Sequence, residues 1–154
     1  SSPIKYGSAM AAHWLRLLDV DRDGDLTIED VRRWTPEISK EIYWAEFWRR
    51  YRCDDLPSDV AQAHFFNVVH MDPGRATSVL QRAVNRVLPR RLVIDGQIGP
   101  KTIEGVRLAD ERDRIELRRR LVSELCTEYH KLATGRNAGF ASGWFYRAAS
   151  LFIH

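Results

Sequence analysis

Apolar residues recur at intervals of three and four along most of this chain, and long alternation at intervals of two is absent, which predicts a mainly α-helical fold. Ala12, Leu15 and Leu18 stand at helical spacing beside Trp14, so the first helix is expected over 8–18. Helix resumes over 27–34. Thr35, Pro36 and Glu37 then mark a fresh start, with a hydroxyl cap, a proline at the first position and an acid in the first turn. That helix carries Ile38, Ile42 and Ala45 on one side and is expected to end near Arg52. Asp55-Leu56-Pro57-Ser58 reads as a turn and a new cap. Residues 60–71 are the most apolar stretch and predict the central buried helix, which Asp72-Pro73-Gly74 breaks. Residues 75–87 are amphipathic, with Val79, Leu80, Ala83 and Val87 inward, and Pro89 ends them. Leu92-Val93-Ile94 has room for a very short strand only. Asp95-Gly96 and Gly99-Pro100 bracket a tight turn, and helix restarts at about Lys101. A long charged helix is expected over 108–132, with Ile115, Leu121, Leu125 and Tyr129 as its seam. A loop at 134–139 and an aromatic-rich helix at 140–152 close the chain.

Between the first two helical stretches lies Asp19-Val20-Asp21-Arg22-Asp23-Gly24-Asp25-Leu26-Thr27-Ile28-Glu29-Asp30. Carboxylates fall at its first, third and fifth places, and Gly24 follows where the backbone must turn sharply. Asp25 is placed to offer its backbone carbonyl, Thr27 to act through water, and Leu26 to pack inward. This is the pattern of an EF-hand-type calcium loop, whose hard cation takes about six to eight oxygens. The metal-ligating candidates are therefore Asp19, Asp21, Asp23, Asp25 and Asp30, with Ca2+ as the expected ion. The last place holds Asp30, one methylene shorter than the usual Glu, and in this the loop resembles bacterial dockerin modules. Affinity in the range of sensors or extracellular modules is expected, with a structural rather than a switching role, since no second such loop accompanies it. Residues 8–34 thus read as a helix–loop–helix.

The 154 residues suit one domain, 1–154. Apolar residues at 44% and aromatics at 10% allow a core and an aromatic-lined groove. The net charge of +3 arises from 24 Lys and Arg against 21 Asp and Glu. With carboxylates concentrated in the loop, the remaining surface is more basic than the total and would favour a polyanion such as an anionic cell wall, although a solvated mixed-charge face has the same composition. No nucleic-acid partner is expected. No run of about 18 apolar residues is present, so no membrane-spanning helix is expected, and Ser1 to Gly7 shows no signal peptide. Cys53 and Cys126 could pair in an exported protein; buried thiols are the ordinary alternative.

Several blocks, in order, resemble the glycoside hydrolase family 108 muramidases, also described as secretion-activator or peptidoglycan-domain proteins. Ile4-Lys5-Tyr6-Gly7 is similar to the family's T-N-Y-G-I segment, and Glu41-Ile42-Tyr43 with Phe47-Trp48 to its E-I-Y-x-x-x-Y-W helix. Asp55-Leu56-Pro57 with Ala61, Ala63 and Phe65 resembles its central helix, and Gly74-Arg75-Ala76 with Leu80-Gln81-Arg82-Ala83 the next. Asp95-Gly96-Gln97-Ile98-Gly99-Pro100-Lys101-Thr102 is the most specific block, and Phe140-Ala141-Ser142-Gly143-Trp144 with Arg147 resembles the closing F-x-x-G-W-x-x-R. The resemblance implies a lysozyme-like α-helical domain with a peptidoglycan-domain-like part over 55–154. It implies hydrolysis of the β-1,4 bond between N-acetylmuramic acid and N-acetylglucosamine, an extracytoplasmic site of action, and bacterial peptidoglycan as partner. An inhibitor or immunity protein is a further partner open to such a domain. Tyr6, Tyr43, Trp48 and His70 are the implied substrate-binding residues; the Phe47-Trp48 pair suits a core as well as a sugar platform.

The family's catalytic Glu lies in an E-G-G-Y segment upstream of T-N-Y-G, and residues 1–154 contain no E-G-G-Y. The catalytic residue is therefore unassigned. Glu41 and Glu46 lie on one helix with Tyr43 and Trp48 and are substitute acids to weigh, although helix glutamates are most often solvated. The family's D-x-x-V-N-x-G also becomes Phe66-Asn67-Val68-Val69-His70-Met71-Asp72, which replaces a polar network by Phe66 and His70. A catalytically inactive peptidoglycan-binding module and a calcium-dependent interaction domain are the rival readings. Calcium is expected to order the lobe that borders the sugar cleft.

Overall fold

The computed structural model describes residues 15–133 together with Gly143 and Tyr146. Tyr6, the start of the first helix, the 134–139 loop and most of the closing helix lie outside the described residues. Among the described residues the structure is helical with no strand, and 92–94, the candidate strand, is extended chain without a ladder. The chain divides into two units, Ser1–Glu46 and Phe47–His154.

In the first unit, residues 15–18 are helical and lead into the acidic loop. Helix α1 (Ile28–Arg33) starts on a reciprocal cap: Thr27 Oγ1 accepts from the Glu29 N–H at 3.2 Å while Asp30 Oδ2 accepts from the Thr27 N–H at 2.9 Å. Helix α2 (Pro36–Tyr43) starts as its sequence dictates, with Thr35 accepting from the Ile38 N–H and Pro36 in the first turn. It does not run on to Arg52 as an α-helix. At Trp44 the winding loosens into a π-helical stretch, Trp44–Arg49. The stretch carries into the second unit, where Arg52 adopts φ 55°, the left-handed conformation that ends helices, and a short 3-10 turn follows at Cys53–Asp55.

The second unit is a group of four described helices, α3 (Ser58–His70), α4 (Pro73–Val87), α5 (Pro100–Arg112) and α6 (Arg114–Leu132). The central element is α4, which packs against the other three, rather than the more apolar α3. Its buried face takes in Val79, Leu80, Ala83 and Val84. Asp72 caps it by accepting from the Arg75 N–H at 3.1 Å, with Pro73 in the first turn. The main core joins Cys53, Leu56, Val60, Leu80, Val84, Val106, Leu117 and Leu121, and a smaller cluster joins Val79, Leu125 and Tyr129. Both cysteines are thiols; burial pushes that of Cys53 up to about 12.

The expected 108–132 helix is two helices. Asp113, at φ −156°, ends α5 and caps α6 by accepting from the Glu116 N–H at 2.9 Å. The break resets the helical phase, so Ile115 is 65% exposed and Leu117, fully buried, takes its place in the seam.

Candidate functional site

The acidic loop is wound by its own side chains. Asp19 accepts from the Asp23 N–H at 3.2 Å and the Gly24 N–H at 2.9 Å, and Asp23 accepts from the Asp25 N–H at 3.0 Å. Two positive φ values, 62° at Arg22 and 94° at Gly24, make the turns. A Cβ at Gly24 would meet nothing within 4 Å, so glycine is required there by conformation and not by space. The result gathers carboxylate oxygens of Asp19, Asp21 and Asp23 within 4.8 Å of one another. Burial, with the neighbouring Asp23 charge, pushes the Asp21 carboxyl above its ordinary range, and the Asp23 charge first of all does the same to Asp25. Arg33 stands 3.8 Å from Asp21, an exposed pairing that offsets little of this. A hard, all-oxygen donor set of high negative charge density fits a divalent cation such as calcium.

Asp30 and Asp25 sit differently. Asp30 is completely buried, and its two oxygens accept from the Val20 N–H at 2.8 Å, the Thr27 N–H at 2.9 Å and the Thr27 hydroxyl at 3.3 Å. The Thr27 N–H foremost holds its carboxyl below the ordinary carboxylate range. Asp30 thus ties the entry of the loop to its exit. Asp25 is exposed and its carboxyl lies outside the three-residue group. The Trp34 indole donates to the Leu18 carbonyl at 3.1 Å, fastening the helix after the loop to the turn before it.

Of the residues assigned to substrate, Tyr6 lies outside the described residues, Tyr43 belongs to the first unit, and Trp48 and His70 belong to the second. Tyr43 is exposed at the end of α2, with Glu41 on the same helix and Glu46 in the π-helical stretch. In the second unit, Trp48 packs on Phe65 with ring centroids 5.6 Å apart, and its indole donates to Asp54 Oδ1 at 2.8 Å. Its geometry is that of a core-edge residue with a satisfied polar tip. His70 is exposed at the last turn of α3, its ring 4.5 Å from that of Phe66.

Polar groups that the apolar pattern passes over organise the second unit. Gln81, 1% exposed on α4, holds the Asp95–Thr102 turn. Its Nε2 donates to Asp95 Oδ1 at 2.8 Å, Thr102 Oγ1 at 3.0 Å and the Gln97 carbonyl at 3.2 Å, while its Oε1 accepts from the Gly96 N–H at 3.0 Å. The Gln81 amide first, then the Gln97 N–H, holds the Asp95 carboxyl below its ordinary range. Gly96 has φ 72°, and a Cβ there would meet the Gly74 carbonyl oxygen at 2.9 Å. One turn on, Asn85 grips the Leu92 backbone, donating to its carbonyl at 2.9 Å and accepting from its N–H at 2.6 Å.

Charge pairs fix α6. Arg118, mostly buried, donates to both oxygens of Asp59, at 2.8 and 2.5 Å, and to Asp110. The buried Glu124 and Glu128 face Arg82 at 3.2 and 3.0 Å, with Arg86 and Arg75 as second partners. These two glutamates are neutralised in place and serve the helix seam. The helical spacing of Gln81 with Thr77 and Val84 was the available sign that it faces inward; nothing in the sequence singled out Asn85.

A mainly α chain, with an oxygen-lined loop ahead of a helical body clamped on an Asp-Gly turn, is thus defined. Two family models match it side by side: Glycosyl hydrolase 108 over residues 7–71 and Predicted Peptidoglycan domain over residues 75–149. The solved structure of SagA from Brucella abortus is similar, with a TM-score of 0.66 and 25% identity over 89% of this chain and 72% of that one. No curated protein matches the chain. The fold is the mainly α, lysozyme-like class expected, and the matches are those of a peptidoglycan-related glycosyl hydrolase.

Proposed function

We propose that this protein is a lysozyme-type glycosidase that cleaves the β-1,4 bond between N-acetylmuramic acid and N-acetylglucosamine in bacterial peptidoglycan, outside the cytoplasm. The observation that carries the reading is the succession of a hydrolase match and a peptidoglycan-domain match, three residues apart, along one chain. No helix among the described residues is long and apolar enough to cross a membrane. The catalytic acid is not assigned: of the buried carboxylates, Glu124 and Glu128 are paired with arginines, Asp19 belongs to the acidic loop and Asp30 is committed to backbone N–H groups there.

Calcium would be held by Asp19, Asp21 and Asp23. When bound, it supplies the positive charge that lets three carboxylates share one turn. Asp30 and Thr27 set the shape of that turn, and the ordering of residues 19–30 is the proposed structural role of the ion.

Purified sacculi incubated with the protein should release reducing sugar ends, and EGTA should lower both that release and the melting temperature. The Predicted Peptidoglycan domain match also favours a second reading, a wall-binding module. Co-sedimentation with sacculi without reducing ends would establish it in place of hydrolysis. A melting temperature and an activity both indifferent to EGTA would remove calcium from the account.

A further inference from the structure

Where α3 and α4 meet Leu121 of α6, the second unit holds a cavity of about 10 Å³. Val60, Ala63, Val79 and Leu80 supply its apolar wall, and His64 and Asn67 its polar part. His64 is 2% exposed and Asn67 5%, yet His64 Nε2 and Asn67 Oδ1 have no hydrogen-bond partner among the described residues. The two residues stand one turn apart on the same face of α3, in register with the core residues Val60 and Val68. Native interiors seldom leave such atoms unmatched, because each has given up its bonds to bulk water. A mostly apolar cavity that two buried polar side chains enter, with room for about one water-sized sphere, offers an internal water its hydrogen-bond partners.

We propose that this cavity binds one internal water, which bridges His64 Nε2 and Asn67 Oδ1 and is an integral part of the α3–α4 seam. The bonding balances for a neutral imidazole in either tautomer. The water donates one hydrogen to Asn67 Oδ1; it donates its second to a bare Nε2, or accepts from a protonated one. Burial supports the neutral ring, since it pushes the His64 pKa down to about 4. Hydration explains why two polar residues occupy inward positions that apolar residues would otherwise fill. It also makes the pair interdependent, because removing either residue leaves the water one anchor.

The test begins with the unaltered protein. A high-resolution crystal structure should show a single peak within hydrogen-bond distance of both atoms. Water–protein cross-relaxation should reach the His64 ring protons, as a long-lived internal water requires. An empty cavity, or a direct His64–Asn67 hydrogen bond, would overturn the proposal. A double-mutant cycle gives the second arm. His64→Leu and Asn67→Leu should each lower the melting temperature, and the double variant should lose clearly less than the sum of the two. Additive losses would mean that the residues act as independent packing units, which also overturns it.

Discussion

Replacing Gln81 by Leu separates the shape of this side chain from its hydrogen bonds. Leucine fills nearly the same volume, so the apolar contacts of α4 persist. Three donated contacts, sharing two hydrogens, are lost to Asp95, Thr102 and the Gln97 carbonyl, together with the bond accepted from the Gly96 N–H. Two donated bonds are worth about 1 kcal/mol each, and the stranded Gly96 N–H, which is half-buried, costs about 1 kcal/mol at the lower end of the range for an unsatisfied donor. The greater apolarity of leucine returns about 1 kcal/mol. The expected loss is therefore about 2 kcal/mol, read as a lower urea midpoint with unchanged slope. Asp95 should titrate upward towards an ordinary aspartate in the same variant, because its leading partner is gone. A variant that unfolds within about 0.5 kcal/mol of the parent, the scatter of ordinary surface substitutions, with Asp95 unmoved, would show that the turn holds its shape without Gln81.

His64 makes stability pH-dependent. Its folded pKa, about 4, lies below the ordinary 6.5, so its contribution is present above pH 6.5 and is lost as pH falls through 4. That interval corresponds to about 3 kcal/mol; the excess acid sensitivity over His64→Leu should approach it in denaturation series from pH 7 to pH 4, and parallel curves would refute it. Glu128→Leu should cost about 1–2 kcal/mol in urea unfolding, because Arg82, 26% exposed at its side chain, loses one of its two carboxylate partners and keeps Glu124. A loss under about 0.5 kcal/mol would make the pair a surface one. Calcium at about a hundred times its dissociation constant should stabilise the protein by about 2.7 kcal/mol, and Asp19→Ala should abolish the shift. A calorimetric midpoint that moves equally in both proteins would place the ion elsewhere.

Elements marked by backbone chemistry were readable from the sequence. Thr35-Pro36 and Gly99-Pro100 each open a helix as read, because a fixed proline φ acts within one turn of chain, and Asp72-Pro73, read as a break, also caps and starts the helix that follows. The break at Asp113 lacked such a mark: it lies in a charged run without Gly or Pro, and burial of Leu117 decides the phase. The clamps Gln81 and Asn85 and the pair His64 and Asn67 escaped a reading that equates inward with apolar. Their partners are 7 to 21 residues away for the clamps, and the apolar pattern carries no term for them. In the acidic loop the three-carboxylate group followed the expected spacing, while the commitment of Asp30 to backbone donors depends on where residues 20, 21 and 27 come to lie.

The two clamps on α4 leave a short interval of chain between them. Leu92 is gripped by Asn85 and Asp95 by Gln81, while Val93 and Ile94 are 78% and 47% exposed. Added length there would not disturb either grip, and lengthening a loop costs entropy only logarithmically. Between residues 93 and 94 the protein should therefore accept a short glycine–serine insert or a reporter peptide, whereas the same insert two residues later would part Gly96 from Gly74 and unseat the turn.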